Sequence, residues 1–573
     1  MKTSDYIAAT LSDHGVRCVF EVSGGMITHL LDSIHRQGRI RVVSVHHEQA
    51  AAFAAEAAGR ITGVPGVAMA TSGPGATNLL TGIGSCYFDS SPAVFLTGQV
   101  NRDEQKGDRK IRQLGFQETD IVSMAAPITK AAWKVKTVEE LPRLLDSAFA
   151  LATEGRPGPV LLDIPMDVQR QDLTVDGSRL AANGTAAISP DPAAVAEVLD
   201  RISAARRPLL LIGGGIRSAR AAEALRKFVG LLRCPVVHSL MAVDVLPCDD
   251  EQRVGMIGTY GNRWANMAMG SSDCLLVLGS RLDVRQTGAD TAAFAAGRSI
   301  LHVDCEPGEM NNRVTGCCPV LATLPEFLEM AIGMAAGRGF PDRGEWRAQI
   351  EDWKREWPDT AELAGIPGVN PNAFMHSLSA GSNAAGTYVI DVGQHQMWAA
   401  QSLDLHAEQR FLTSGGMGSM GFALPAAVGA AISSERPVVM VAGDGSFQCN
   451  IQELQTVARN RLALKMVVIN NLCHGMVRQF QESYFDARYQ STLWGYSAPD
   501  FERVACGYGI AARTTGQPDD MEDAVRWLWQ EPDRPALLQV MVDTYANAYP
   551  KIAFGRPMTE MEPFAKPIGM EST

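Results

Sequence analysis

Short, continuous apolar runs alternate along this chain with longer stretches whose apolar residues recur every three to four positions. Residues Cys18–Val22, 67–70, 93–97 and 159–164 are runs of the first kind, rich in β-branched side chains. Such runs read as strands buried on both faces, the pattern of a parallel sheet covered by helices. Between them, the Ala-rich residues 48–60 read as a helix, and a second helix is expected from Ala76, after Thr71-Ser72-Gly73-Pro74-Gly75. Residues 1–175 are therefore expected to form one α/β domain. A polar stretch at 181–192 reads as a linker. A second unit, 190–335, has expected strands at 209–212, Cys274–Leu278 and 300–303, the first running into Gly213-Gly214-Gly215 and a helix. Composition shifts again at 337–344, where Gly, Arg, Pro and Asp follow no period. A third unit, 370–545, has expected strands at 388–391, 437–442, 466–469 and 536–542. The tail, 546–573, has several prolines and no strong period, and is expected to drape over the surface. The fold class is thus α/β, with three doubly wound parallel-sheet domains, the first and third alike in kind.

A length of 573 residues agrees with several domains, and 46% apolar with 20% charged residues is ordinary for a globular protein. The net charge of -12, with no basic stripe, argues against nucleic acid or an anionic membrane as a partner. The 11 cysteines include no Cys-x-x-Cys pair, and most, such as Cys18, Cys86 and Cys274, sit in apolar runs. They read as buried, reduced thiols of a cytoplasmic protein. The chain enters a helical pattern at Thr3 with no leader-like segment, and no apolar run approaches membrane-spanning length.

Chemistry concentrates first in Gly443-Asp444-Gly445-Ser446, at the end of an expected strand, and in Asn470-Asn471 after the next one. Asp-Gly usually marks a hairpin turn, but here a helix-like segment, 451–457, precedes the next strand. A loop at the carboxyl end of a parallel strand is where α/β sheets bind ligands. Glycines there let backbone N–H groups approach phosphate oxygens. The Asp444 carboxylate and the Asn471 amide oxygen suit a hard Mg²⁺ ion. Gly-Asp-Gly alone is a weak signal; its pairing with Asn-Asn at this spacing is a strong one. Glu48, in His46-His47-Glu48-Gln49-Ala50, reads by itself as a solvated acid at a helix N-terminus.

Together these residues resemble the thiamine-diphosphate-dependent acetohydroxyacid synthase (acetolactate synthase) family, and the resemblance runs along nearly the whole chain. It implies a pyrimidine-binding, a central FAD-binding-like and a diphosphate-binding domain, with thiamine diphosphate, Mg²⁺ and FAD as cofactors. Asp444, Asn471 and the Cys473 backbone carbonyl would hold the metal. Glu48 would be the one essential carboxylate, hydrogen-bonded to the aminopyrimidine ring. Asp391-Val-Gly-Gln-His-Gln resembles the diphosphate segment, so Gln394 and His395 join Gly443, Gly445, Ser446, Gly475 and Met476 as cofactor contacts. In Gly415-Gly-Met-Gly-Ser-Met-Gly, the Gly418 carbonyl and the apolar wedge Met420 would meet the pyrimidine. Gly25, Pro74 and Asn78 belong to the same site, with Gln117 beside the reacting centre and Phe116 on the substrate side. Arg281, Asp283, Arg285 and Asp304, with Gly213, Gly214 and Gly215, resemble the flavin-binding stretches, and Arg285 would also suit a substrate carboxylate.

The implied activity decarboxylates pyruvate and transfers the two-carbon unit to a carbonyl acceptor, at sites shared between subunits of a homodimer or homotetramer. Two features depart from the family pattern. The Asn101–Arg112 stretch is longer than usual by about six residues, an insertion of a kind loops tolerate, and carries Lys106, Arg109, Lys110 and Arg112. Phe480 stands where biosynthetic synthases carry a tryptophan. Both leave a second acceptor open, the ketone of a nucleotide-linked deoxy-keto-sugar, as in yersiniose-type enzymes. A pyruvate oxidase using the flavin for electron transfer is a more distant reading.

Overall fold

The computed structural model describes residues 1–174 and 187–568; the first half of the expected linker, 181–186, and the last residues of the tail lie outside them. Three six-stranded sheets organise the described residues, and every strand pair in them is parallel. The first contains β1 (Cys18–Val22), β2 (Arg41–Ser44), β3 (Gly66–Ala70), β4 (Ala93–Gln99), β5 (Ala131–Lys134) and β6 (Pro159–Pro165). Its spatial order is β2-β1-β3-β4-β6-β5. The second contains β7 (Pro208–Ile212), β8 (Val236–His238), β9 (Arg253–Met256), β10 (Cys274–Leu278), β11 (Ser299–Asp304) and β12 (Cys318–Leu321), ordered β12-β11-β10-β7-β8-β9. The third contains β13 (Thr387–Ile390), β14 (Arg410–Thr413), β15 (Val438–Gly443), β16 (Leu464–Asn470), β17 (Ala511–Thr515) and β18 (Ala536–Met541), ordered β14-β13-β15-β16-β18-β17.

Renumbered from its own first strand, the third sheet has the same order as the first, so the likeness read from the sequence is a likeness of topology. The middle sheet differs. Its order is that of the Rossmann dinucleotide fold, with the switch point between β7 and β10.

The Ala-rich segment forms the helix Glu48–Thr62, of which eleven residues are buried. Its small side chains permit close packing: a side-chain carbon added at Gly82 would stand 2.2 Å from Ala52 Cβ. The other face carries Phe53, whose ring meets Phe422 of the third domain edge-on at 5.4 Å.

Two expectations need correction. The tail does not drape over the surface. Lys551–Ile552 pairs antiparallel with Met561–Glu562, and Ile552, Met558 and Met561 are buried against Trp264 and Leu282 of the middle domain. Its apolar residues are too irregularly spaced to show a period, because they fill a gap between preformed elements rather than build one. The stretch from 337 has no regular element, as expected, until a helix begins at Gly344; this helix, Gly344–Glu356, is anchored by buried Trp346 and Ile350, with Trp346 Nε1 donating to the Pro208 carbonyl at 3.2 Å. All eleven cysteines are free, but they are not uniformly buried: Cys18 is half-buried at the start of β1, and Cys449 and Cys506 are exposed. Among the described residues no helix is long and apolar enough to cross a membrane.

Candidate active site

Each sheet presents its chemistry at the carboxyl ends of its strands, as open α/β sheets do. In the first domain, Glu48 opens the Ala-rich helix just beyond β2 and is 9% exposed. Asn78 Nδ2 donates to Glu48 Oε2 at 2.9 Å. The other carboxylate oxygen, Oε1, lies against Gly75, where an added side-chain carbon would be 3.3 Å away. The loop after β3 thus supplies both neighbours of the acid. Gln117, with a left-handed backbone at φ 65°, packs its side chain on Gly73 of the same loop. Gly25 and Pro74 are exposed on this face, and Phe116 is 79% exposed. The structure therefore brings Glu48, Asn78, Pro74 and Gln117 to one rim.

The other half lies on the third domain. β15 ends at Gly443, and Asp444 begins a short helix with its carboxylate 2% exposed. Burial pushes this carboxyl up to about 6, against hydrogen bonds from the Tyr496 hydroxyl and the Gly445 and Leu472 backbones. The Tyr496 bond is 3.1 Å long. Leu472 follows β16, so two neighbouring strand ends do converge on Asp444. Asn471 is buried, its Nδ2 donating to Gln394 Oε1 at 3.1 Å and its Oδ1 accepting from Cys473 N at 3.3 Å. Gln394 in turn donates to the Ala546 carbonyl at 2.9 Å, and Gln479 pairs with the Ala548 backbone through bonds of 3.0 and 2.9 Å. A side-chain carbon at Gly475 would stand 1.8 Å from Gln394 Oε1, so any larger residue there would displace the Gln394 amide from Asn471. His395 is buried and held neutral, burial pushing it down to about 3, and its Nε2 accepts from Gly443 N at 3.2 Å. Ser446 Oγ caps the same amide at 3.1 Å. Met476 is half-buried on the helix Gly475–Tyr484, and Phe480 on that helix is 38% exposed beside Tyr484 and Phe485.

The donor set fits the implied ion. Among the described residues no group of three His, Cys, Asp or Glu side chains is placed to hold a metal. One buried carboxylate with amide and carbonyl oxygens remains, which is the hard, oxygen-only environment Mg²⁺ takes, with phosphate oxygens completing the shell.

The loop after β14, Gly415–Gly421, leaves Met417 and Met420 about two-fifths exposed, with Gly418 left-handed at φ 67° and open space beside it. Tyr496 and Asp391 are site residues that sequence reasoning missed. Tyr496 sits in a loop far along the chain with no motif around it. Asp391 was legible only as part of a segment, yet its carboxylate accepts from Gly421 N at 3.0 Å and Ala423 N at 2.7 Å.

A separate cavity of about 980 Å³ opens at the switch point of the middle sheet. Gly214, Gly215, Arg281, Asp283, Arg285 and Asp304 line it. Gly213 does not; it lies beneath, where a side-chain carbon would be 2.1 Å from the Gly279 carbonyl oxygen. Glycine there lets the loops after β7 and β10 touch backbone to backbone, with Gly215 N donating to Gly279 O at 3.0 Å. The volume, the Rossmann order and guanidinium groups such as Arg217, Arg220 and Arg281 on the wall suit a dinucleotide. Neither Glu48 nor Asp444 lines this cavity.

Comparison with known proteins agrees with the three-part architecture. The thiamine pyrophosphate enzyme N-terminal TPP binding domain matches residues 1–124, the central domain 195–331, and the C-terminal TPP binding domain 391–540. The chain is 37% identical to the acetolactate synthase large subunit of Parasynechococcus marenigrum (strain WH8102), over 97% of this chain and 90% of that one. It is 35% identical to the acetolactate synthase isozyme 2 large subunit of Escherichia coli (strain K12), over 98% and 99% respectively. With the chloroplastic acetolactate synthase 2 of Nicotiana tabacum it shares 36% identity over 97% of this chain and 84% of the other. With three domain models matched in order and relatives aligned almost end to end, the chain belongs to the thiamine pyrophosphate enzymes of the acetolactate synthase family.

Proposed function

We propose that this chain is a carboligase that converts two pyruvates into one 2-acetolactate and one CO₂, using thiamine diphosphate, Mg²⁺ and FAD. The observation that carries this reading is the near end-to-end likeness to acetolactate synthases, in a chain whose Glu48 and Asp444 are both buried at strand ends. When bound, thiamine diphosphate supplies an electron sink for the carbon that loses CO₂. Glu48 holds and returns a proton at the pyrimidine end, oriented by Asn78. Asp444, Asn471 and the Cys473 carbonyl hold the metal, and Gln394, His395, Gly443, Gly445, Ser446, Gly475 and Met476 shape the diphosphate seat. Gly418 and Met420 support the pyrimidine, while Phe116, Gln117, Arg285 and Phe480 border the substrates. These roles fall to domains 1–175, 190–335 and 370–545, and the tail from 546 braces the last two. The full-length relatives favour pyruvate over a keto-sugar nucleotide as acceptor.

We assign the working unit to a homodimer or homotetramer in the cytoplasm, in which the Glu48 half of one protomer meets the Asp444 half of its partner. Exposed apolar side chains support this on both halves: Ile111, Leu114 and Phe116 on one, and Met417, Met420 and Leu472 on the other.

Incubation with pyruvate alone, followed by mass analysis, tests the activity. The expected product is 2-acetolactate; its absence, with product formed only on adding a keto-sugar nucleotide, overturns the acceptor. Because the reaction is redox-neutral overall, FAD bound by the protein is expected to stay yellow during turnover. Bleaching by pyruvate at the turnover rate marks an oxidase instead. At the acceptor, Phe480→Trp narrows the rim and adds apolar contact. It is expected to raise the preference for 2-oxobutyrate over pyruvate about tenfold, since one such contact discriminates by roughly 1–3 kcal/mol. Competition between the two 2-oxo acids measures it, and an unchanged product ratio removes Phe480 from the pocket.

A further inference from the structure

The Gly415–Gly421 loop is held at both ends by carboxylates, and only one of them belongs to its own domain. Asp391 takes the far end. At the near end, Asp89 of the first domain accepts from Gly415 N at 3.0 Å through Oδ2 and from Gly416 N at 2.6 Å through Oδ1. A bidentate carboxylate over two consecutive amides fixes direction as well as position. The helix Leu80–Phe88, which Asp89 caps at its carboxyl end, also supports the loop's exposed middle. A side-chain carbon at Gly84 would stand 2.8 Å from Met417 Sδ. Gly416 is confined the same way, with Phe88 Cβ 2.8 Å from where its own side chain would begin.

Asp89 sits where electrostatics disfavour it. A negative charge at a helix carboxyl terminus opposes the helix dipole. Its neighbourhood also contains Glu56, which is fully buried; Glu56 Oε1 accepts from Ser91 Oγ at 3.0 Å and lies 3.6 Å from Arg60 NH1. Burial holds both carboxyls above their ordinary range. The amides of Gly415 and Gly416 and the nearby Arg60 offset that cost, so the carboxylate and the loop stabilise each other. Asp89, Gly415 and Gly416 also form part of the wall of the 980 Å³ cavity, together with Met241 of the middle domain.

We propose that Asp89 is a positioning residue that clamps the near end of the Gly415–Gly421 loop and so sets the posture of Met417, Gly418 and Met420. The consequence for the cofactor rests on the reading that this loop seats the pyrimidine. Without the clamp, the Gly415 and Gly416 amides lose their acceptors. The loop then keeps only van der Waals contact with the helix Leu80–Phe88, the Asp391 bonds, the 2.8 Å bond from Asn450 Nδ2 to the Gly421 carbonyl and the 3.2 Å bond from Ser419 N to Ser414 Oγ.

The test uses the full chain and two readouts. The first is hydrogen exchange of the Gly415 and Gly416 amides in protein without cofactors. In Asp89→Ala it is expected to speed up about tenfold or more, the loss of two charge-assisted bonds, while the Asp391-held amides of Gly421 and Ala423 keep their protection. Asp89→Asn, which keeps shape and one acceptor oxygen, is expected to give an intermediate rate; it carries the test if the alanine variant does not fold. The second readout is the dissociation constant for thiamine diphosphate with Mg²⁺, expected to rise about tenfold in Asp89→Ala and less in Asp89→Asn. Unchanged exchange at Gly415 and Gly416 overturns the clamp. Faster exchange with unchanged cofactor affinity upholds the clamp and removes the loop from the cofactor seat.

Discussion

Glu48→Gln is expected to lower turnover by about 10²- to 10⁴-fold, the usual worth of a positioned acid–base group. The amide is nearly isosteric, and its carbonyl oxygen can still accept from Asn78 Nδ2, so the helix Glu48–Thr62 and the loop after β3 keep their packing. What disappears is the ability to hold and release a proton on the oxygen that faces Gly75. Thermal stability and thiamine diphosphate affinity are therefore expected to stay near those of the parent chain. Steady-state acetolactate formation measures the effect, and turnover within a few-fold of the parent would sink the role given to Glu48.

Asp444→Ala acts at the opposite end and fails differently. It removes the one carboxylate of the metal set and leaves Asn471 and a backbone carbonyl, which are neutral donors. Outer-shell partners of a metal typically contribute 10–100-fold to affinity, so loss of a direct anionic ligand is expected to cost at least about 100-fold in Mg²⁺-dependent binding of thiamine diphosphate. Removing this buried carboxyl relieves its desolvation but also leaves the Tyr496 hydroxyl and the Gly445 and Leu472 amides without their acceptor, so the two effects on apoprotein stability oppose each other. Titration of the cofactor at fixed Mg²⁺ checks this. Unchanged affinity places the metal elsewhere.

Most of the sheet framework was legible in the sequence, and six of the seven strands that were missed, all but β8, are sheet edges. In the first and third sheets the four inner strands were all expected, and both edge strands of each, β2, β5, β14 and β17, were not. Inner strands are covered on both faces and on both edges, so their sequences are unbroken apolar runs. β5 is half-buried throughout, and β17, Ala511–Thr515, has only its last residue buried. These two edges carry polar and charged residues that keep them from pairing with other chains, and those residues erase the signal, whereas β14, Arg410–Thr413, is mostly buried and only four residues long. β8 was missed for brevity, since three residues make no pattern.

The site divides along a similar line. Residues within contiguous motifs come together in space: Asn471 bonds Gln394 beside Asp444, and Arg281, Asp283, Arg285 and Asp304 line one cavity. Asp89 and Tyr496 act on motifs from distant segments, and no local spacing announces them.

The buried tail has a consequence for how the chain is made. Ile552, Met558 and Met561 complete the packing around Trp264 and Leu282, yet they follow the whole third domain in sequence. At 5–20 residues per second, a ribosome needs roughly ten to forty seconds to move from the end of the middle domain to that segment. During that interval the nascent middle domain displays an uncovered apolar face to solvent. The pair Lys551–Ile552 and Met561–Glu562 then closes it, so the middle domain stays open to chaperones and to aggregation until that segment has been made.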